Sequence, residues 1–353
     1  MLFLLTAASA LIPSLLLLWY FHAKDVHREP GEVIWATFGL GVAIIAPVLL
    51  VDGLIYLLLP DFSSMPYAKG ASDAFLMAAI PEEFFKFTVL WLYVLRHKEF
   101  DEPMDGIVYG VVASLGFATL ENIIYTADGG LGVAILRALT AVPLHAFLGA
   151  IMGYYVGQMR FGKPEMRSKN LWMALSMPML LHGLYDFPIL TIKQMQENLG
   201  TAGPVGEGLG LVGITLIVLI FTWVWAIKLT NRLRRQQDAE QKTTQQQALL
   251  AAADPSLPAP LAKPPVSRPA QKTGGGFFAW CGLIIGGILA SLGGLVVLGL
   301  ILGLAFGKNE GTEIGPLILG GGLIGVLPLG LGLWFFILGL RSVRRKSAAS
   351  ITR

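Results

Sequence analysis

The sequence predicts an all-α polytopic membrane protein with about nine transmembrane helices, its N-terminus outside and its C-terminus in the cytoplasm. Of the 353 residues, 54% are hydrophobic and only 14% are charged, whereas about a quarter of the residues in an ordinary soluble domain are charged. The mean hydropathy of +0.65 agrees with these values. We therefore expect a multi-pass protein of the cell membrane, with the lipid bilayer as its surroundings.

Nine apolar runs are each long enough to cross a bilayer, which takes roughly 20 residues. No positively charged segment precedes the first run, so it is expected to be a retained helix rather than a signal peptide. The runs cover residues 2–20, 33–59, 72–96, 105–127, 131–158, 171–192, 209–228, 277–306 and 314–340.

The lysines and arginines set the predicted orientation. Counted over alternate loops, 21 of the 26 lie on one side of the membrane and three lie on the other. Cytoplasmic loops carry the excess of positive charge, so the N-terminus is predicted to face out. These residues lie in short loops and tails, and this distribution does not favour nucleic-acid binding despite the net charge of +3.

Composition divides the chain into three parts. Residues 1–230 hold seven of the predicted spans and form the expected functional domain. Residues 231–276 are rich in Gln, Ala, Pro and Gly and predict a disordered cytoplasmic linker. Residues 277–353 comprise two Gly-rich spans without ionisable residues, followed by a basic tail. The one cysteine, Cys281, lies in this last part and is interpreted as a packing residue. A single cysteine excludes a cysteine-based metal site.

Three ionisable residues share one turn of the third span. Glu82, Glu83 and Lys86 lie among Phe, Leu, Met, Ala and Val, where each charge costs roughly 2.5–3.5 kcal/mol on insertion scales. Lys86 follows the two glutamates by four and three residues, so all three side chains occupy one sector of the helix. We expect Lys86 to be the charge partner of the glutamates.

The next three spans carry the other unusual polar residues. Glu121 and Asn122 lie in the fourth span, His145 in the fifth, and His182 and Asp186 in the sixth. A carboxylate one helical turn from an imidazole can orient it, which favours a functional His182–Asp186 pair. A structural role is the alternative for each residue, because histidine and asparagine also hydrogen-bond between membrane helices. Asp105 and Arg137 lie nearer span ends and are expected to be interfacial or topological residues.

The predicted spans bring these residues to similar depths. Counted from the span ends at 1.5 Å per residue, they lie roughly 9–21 Å below the outer surface, so one cavity open to the outside could hold them all. Gly149 and Gly153 follow His145 at steps of four residues. Such a small-residue face predicts close packing of the fifth helix against its neighbours.

The charge of this cluster requires protons, a bound cation, or both. Four carboxyl groups against one lysine leave a formal charge of −3 when the histidines are neutral, so the site must take up protons or a cation. Two histidines with one or more carboxylates are typical Zn²⁺ ligands that leave a position for water, and a spare glutamate could act as general base. The His-Glu-x-x-His pattern is absent. The candidate ligands are His145, His182, Glu121 and Asp186.

The ordered set of motifs resembles the PrsW family of intramembrane proteases, which are distantly related to the CAAX-processing and bacteriocin-processing membrane proteases. The motifs are Glu82-Glu83-x-x-Lys86, Phe117-x-x-x-Glu121-Asn122, His145 and His182-x-x-x-Asp186 on successive spans. The resemblance covers about residues 1–230. It implies a metallo- or glutamate-dependent endopeptidase that hydrolyses a peptide bond in a transmembrane protein substrate, such as an anti-sigma factor, in regulated intramembrane proteolysis.

The resemblance also implies roles for individual residues. Glu82 and Glu83 would activate water, while His145 and His182 would bind a metal or stabilise the oxyanion. The remaining members would complete the site: Lys86, Glu121, Asn122 and Asp186.

Two other functions are compatible with membrane carboxylates and histidines. A proton- or cation-coupled transporter is the first alternative, although the sequence shows no repeated half and gathers its polar residues in four spans. A membrane scaffold whose polar residues only join helices is the second.

Overall fold

The computed structural model describes residues 2–60, 62–199 and 205–253, which all belong to the unit Met1–Pro260. Within these residues the chain forms helices and loops, without a strand. The nine α-helices are α1 (Leu2–Lys24), α2 (Gly31–Ala43), α3 (Ile45–Leu58), α4 (Pro66–Ala71), α5 (Ile80–Leu92), α6 (Pro103–Leu139), α7 (Ala141–Phe161), α8 (Arg167–Leu199) and α9 (Val205–Ala253). A π-helical segment, Ser72–Ala79, joins α4 to α5, and 3₁₀ turns lie at Val94–Arg96 and Pro164–Met166.

Four described stretches are long and apolar enough to cross a membrane: Gly31–Leu58, Pro103–Ala127, Gly129–Phe161 and Gly206–Leu250. This confirms the prediction of an all-α, multi-pass membrane protein. The number of nine spans and the orientation remain predictions, and the spans predicted at 277–306 and 314–340 lie outside the described residues.

The contact between α6 and α7 is made by backbone against backbone. A Cβ atom on Gly153 would lie 1.8 Å from the Gly106 carbonyl oxygen, and one on Gly149 would lie 2.4 Å from that of Gly110. Only glycine permits so close an approach of two helices. The small-residue face predicted after His145 is therefore confirmed, and it holds α7 in the centre of the described fold.

The chain reverses direction within α6. Gly130 has φ 71° and ψ −170°, a conformation that favours glycine. In a straight helix Arg137 and Glu121 would be roughly 24 Å apart, yet the two side chains form an ion pair at 2.8 Å. The residues after Gly130 thus run back along the preceding part of α6, at the boundary that the sequence predicts between its fourth and fifth spans.

The π-helical segment packs against α8 beside one of the candidate histidines. A Cβ atom on Gly183 would lie 2.2 Å from the ring of Phe75, so the glycine leaves the space that this ring fills. Single π-helical turns are frequent at functional sites. This one leads directly into α5, where Pro81 occupies the first turn.

Helix α9 continues far beyond the apolar part of its sequence. The linker is predicted to begin at residue 231, but the chain stays helical to Ala253. Residues 236–253 contain mostly Gln, Ala, Leu, Lys and Glu, which are good helix formers, and the next proline is Pro255. Gln237 also anchors the helix, because its Nε2 atom donates to Asp25 Oδ1 at 2.7 Å. Residues 254–276 of the predicted linker lie outside the described residues.

Candidate active site

Helix α5 buries the three charges that the sequence places on one turn. Glu83 is 0% exposed, Lys86 is 1% and Glu82 is 7%. The Lys86 ammonium donates to Glu83 Oε1 at 2.7 Å and to Glu82 Oε2 at 3.2 Å. Lys86 is thus the charge partner of both glutamates in the structure.

Lys86 also reaches α7. Its Nζ atom lies 2.9 Å from His145 Nδ1, and 4.3 Å from the centre of the Phe117 ring on α6. An ammonium carries three N–H donors, and Lys86 directs them at two carboxylates and one imidazole nitrogen. This side chain is the cation around which the cluster is arranged.

His145 bridges Lys86 and Glu121. Because its Nδ1 atom accepts from the ammonium, its proton lies on Nε2, which donates to Glu121 Oε2 at 2.8 Å. The two contacts fix one neutral tautomer and one ring orientation.

His182 lies between two carboxylates. Its Nδ1 atom is 2.9 Å from Glu83 Oε1, and its Nε2 atom is 3.1 Å from Asp186 Oδ2. Both ring nitrogens therefore face acceptors, an arrangement that suits an imidazolium with a proton on each nitrogen. The rings of His145 and His182 are nearly perpendicular, with their centres 5.1 Å apart.

Arg137 belongs to the site, which differs from the interfacial or topological role predicted for it. Its Nη2 atom pairs with Glu121 Oε1 at 2.8 Å, and its Nε atom donates to Asn122 Oδ1 at 3.2 Å. Asn122 in turn donates to the backbone carbonyl of Ser9 on α1 at 3.4 Å. The one sequence signal for a further cation was the excess negative charge of the predicted cluster.

Four of these side chains could hold a metal ion. Glu82, Glu83, His145 and His182 each offer one ligand atom, and these atoms lie within 4.8 Å of one another. Glu83 Oε2 is buried and accepts no hydrogen bond from any described residue. Two imidazoles and carboxylates are a donor set typical of zinc. The residues present therefore fit a divalent metal.

Charge supports the same conclusion. Around Lys86 and Arg137 lie four carboxylates. Because a histidine binds a metal as the neutral imidazole, His182 would release one proton on metal binding, and the cluster would then carry a formal charge of −2. One divalent cation would bring this buried cluster to neutrality, and buried charge is costly unless it is compensated.

The observed donor group overlaps only partly with the predicted ligand set. His145 and His182 belong to both. Glu121 and Asp186 instead each contact the Nε2 atom of one histidine, which is the position of a carboxylate that orients a metal-binding imidazole. Their places among the donors are taken by Glu82 and Glu83.

Comparison with known proteins gives a family match over most of the described chain. Residues 29–239 match the family model described as PrsW family intramembrane metalloprotease, and this range includes every residue of the cluster. Curated relatives named Protease PrsW include that of Geobacillus kaustophilus, 41% identical over 194 residues, which are 55% of this chain and 83% of the relative. The Bacillus subtilis protein is 41% identical over 52% of this chain and 82% of its own length. The Clostridioides difficile protein is 33% identical over 51% of this chain and 77% of its own length. No solved structure matches the chain.

Proposed function

The chain belongs to the PrsW family of intramembrane metalloproteases, and on this premise we propose that the cluster around Lys86 is its catalytic centre. One observation carries the proposal: Glu82, Glu83, His145 and His182, from three helices, bring one ligand atom each within 4.8 Å of one another. The transporter considered from the sequence is not favoured by this family membership.

The two glutamates take different roles in this proposal. A general base must reach water or substrate, and Glu82, at 7% exposed, is the more accessible of the pair, whereas Glu83 is fully buried. Glu82 is therefore the base. Glu83 is the anionic ligand, a role supported by its buried Oε2 atom without a hydrogen-bond donor among the described residues.

His145 and His182 complete the proposed metal site together with Glu83, and Zn²⁺ is the ion that suits these donors best. When bound, such an ion polarises a carbonyl group and makes a bound water more acidic. Glu121 and Asp186 hold the two imidazoles in orientation through their Nε2 atoms. Arg137 and Asn122 in turn hold Glu121, and Lys86 balances the paired glutamates.

The proposed substrate is a single-span membrane protein of a signalling pathway, such as an anti-sigma factor, cleaved in regulated intramembrane proteolysis. The family supports the reaction, and the burial of the site among apolar helices supports a substrate that reaches it from the bilayer. We further propose nine spans, with the N-terminus outside, from the asymmetry of Lys and Arg among the loops. Catalysis then resides in residues 1–230, and residues 277–353 are an appended membrane segment.

The division of roles is tested by measuring metal content and cleavage on the same samples. The full-length protein is reconstituted in liposomes with a fluorescent single-span anti-sigma reporter, and its metal is counted by mass spectrometry. Glu82→Gln should keep the metal and lose at least about 10²-fold in rate, the lower end for loss of a general base. Glu83→Gln and His182→Ala should lose both metal and activity.

The matched control is Glu197→Gln, a change of the same chemistry at an exposed position of α8. It should leave rate and metal content unchanged. Cleavage by Glu82→Gln at the wild-type rate would refute the assignment of the base. Full metal content in His182→Ala would refute the metal site while leaving the protease family membership intact.

A further inference from the structure

A second cluster of buried carboxylates lies between the loop after α1 and the beginning of α6. Asp25, Glu29 and Asp105 each bring one oxygen within 4.8 Å of the others, and they are 2%, 7% and 0% exposed. Asp105 precedes Glu121 by 16 residues on the unbroken part of α6, a separation of roughly 24 Å. This acidic cluster is therefore distinct from the protease site.

Two oxygens of the acidic cluster have no hydrogen-bond donor. Asp25 Oδ1 accepts from Gln237 Nε2 at 2.7 Å, and Asp105 Oδ2 accepts from the backbone N–H groups of Asp101 and Glu102 at 2.8 and 2.7 Å. The second oxygens, Asp25 Oδ2 and Asp105 Oδ1, are buried and accept no hydrogen bond from any described residue. Burying a polar atom without a partner costs free energy of folding, and a ligand bound to these oxygens would offset that cost.

The surroundings of the acidic cluster do not neutralise it. In the described part of the chain, no lysine or arginine forms an ion pair with its three carboxylates. The Tyr109 hydroxyl donates to Glu29 Oε2, but it brings no charge. The nearby Glu102 adds a further carboxylate and is itself paired with His27 at 3.0 Å.

We propose that Asp25, Glu29 and Asp105 bind one hard divalent cation, Ca²⁺ or Mg²⁺. The donors are all oxygens, and carboxylate oxygens select these ions over zinc, which favours nitrogen and sulfur. The cation supplies the missing partner of the Asp25 and Asp105 oxygens. Since Gln237 donates to Asp25, the ion also joins the polar extension of α9 to the beginning of α6.

The test is thermal unfolding of the full-length protein in detergent, first stripped with chelator and then supplied with CaCl₂ or MgCl₂ in separate series. An ion that binds only the folded state should raise Tm by roughly 5–10 °C at about 100 times its Kd. The Asp25→Asn/Asp105→Asn variant should lose this rise. The control Asp238→Asn, a half-exposed carboxylate on α9, should keep it.

A second variant separates this site from the protease centre. Glu83→Gln should retain the full response to Ca²⁺ or Mg²⁺, because the acidic cluster does not include Glu83. Binding of radioactive Ca²⁺ to wild type and Glu83→Gln, measured by equilibrium dialysis, gives a direct count that needs no folded double variant. If the wild type shows no Tm rise and binds no ion, a shared proton fills the acidic cluster and the proposal is overturned. An equal rise in the double variant would overturn it as well.

Discussion

Replacing Lys86 by methionine removes the one lysine or arginine of the described residues that forms an ion pair with Glu82 and Glu83. The side chain is 1% exposed, and its ammonium lies 2.7 Å from Glu83 Oε1, 3.2 Å from Glu82 Oε2 and 2.9 Å from His145 Nδ1. Breaking a buried pair by removing one partner costs about 3–5 kcal/mol. At roughly 2–4 °C per kcal/mol for a domain of this size, we expect Tm to fall by roughly 6–20 °C in the metal-free protein.

Zinc should reverse this loss. Three of the four candidate metal donors contact the ammonium, so the lysine and a bound ion compensate the same negative charge. After its removal, a divalent ion can neutralise the paired glutamates in place of the lysine. We therefore expect Zn²⁺ to raise the Tm of Lys86→Met more than that of the wild type, measured by intrinsic fluorescence in detergent with chelator and then with added ZnCl₂.

Two controls define this experiment. Lys86→Met/Glu83→Gln removes one negative charge together with the cation, so it should recover part of the stability in chelator and respond weakly to zinc. Lys193→Met, at an exposed position of α8, should behave as the wild type. If Lys86→Met is as stable as the wild type in chelator, or if zinc raises both Tm values equally, Lys86 and the metal do not compensate the same negative charge.

Two further changes test the surroundings of the site. Arg137→Gln removes the partner of Glu121 while keeping a polar side chain. We expect cleavage of the reporter to slow by about tenfold or more, as for other partners that orient metal ligands, and the metal to bind more weakly in equilibrium dialysis. An unchanged rate and affinity would indicate a purely topological role for Arg137. Gly153→Val places a side chain against the Gly106 carbonyl, so the free energy of unfolding should fall by at least about 1–3 kcal/mol. Gly53→Val, with open space around its Cβ position, should lower it less. Equal Tm values for the two variants would contradict the backbone contact of α6 and α7.

Helical periodicity was sufficient to predict the contacts made within one helix. The spacing of Glu82, Glu83 and Lys86 fixes their common sector whatever surrounds them, and the same holds for His182 and Asp186. The small-residue face behind His145 could likewise be derived from spacing. These are local properties, and the structure reproduces them.

Contacts between helices could not be derived in this way. Arg137 reaches Glu121 because the chain reverses at Gly130. The boundary between the predicted fourth and fifth spans indicates a reversal there, but not which side chains it brings together. The carboxylate that each nitrogen of His145 and His182 faces depends on how three helices are rotated about their axes. Because the sequence does not give this rotation, the predicted ligands differ from the observed donors. The acidic cluster was missed for the same reason, since Asp25 and Glu29 lie in a loop far along the chain from Asp105.

The backbone contact between α6 and α7 limits how the protease can open. Two helices that touch through glycine carbonyls cannot admit a peptide between them without giving up that contact. Helix α5 is joined to α7 and α8 at the proposed catalytic centre by polar side chains rather than by backbone contact. The glycine face therefore favours entry of a substrate beside α5 rather than between α6 and α7.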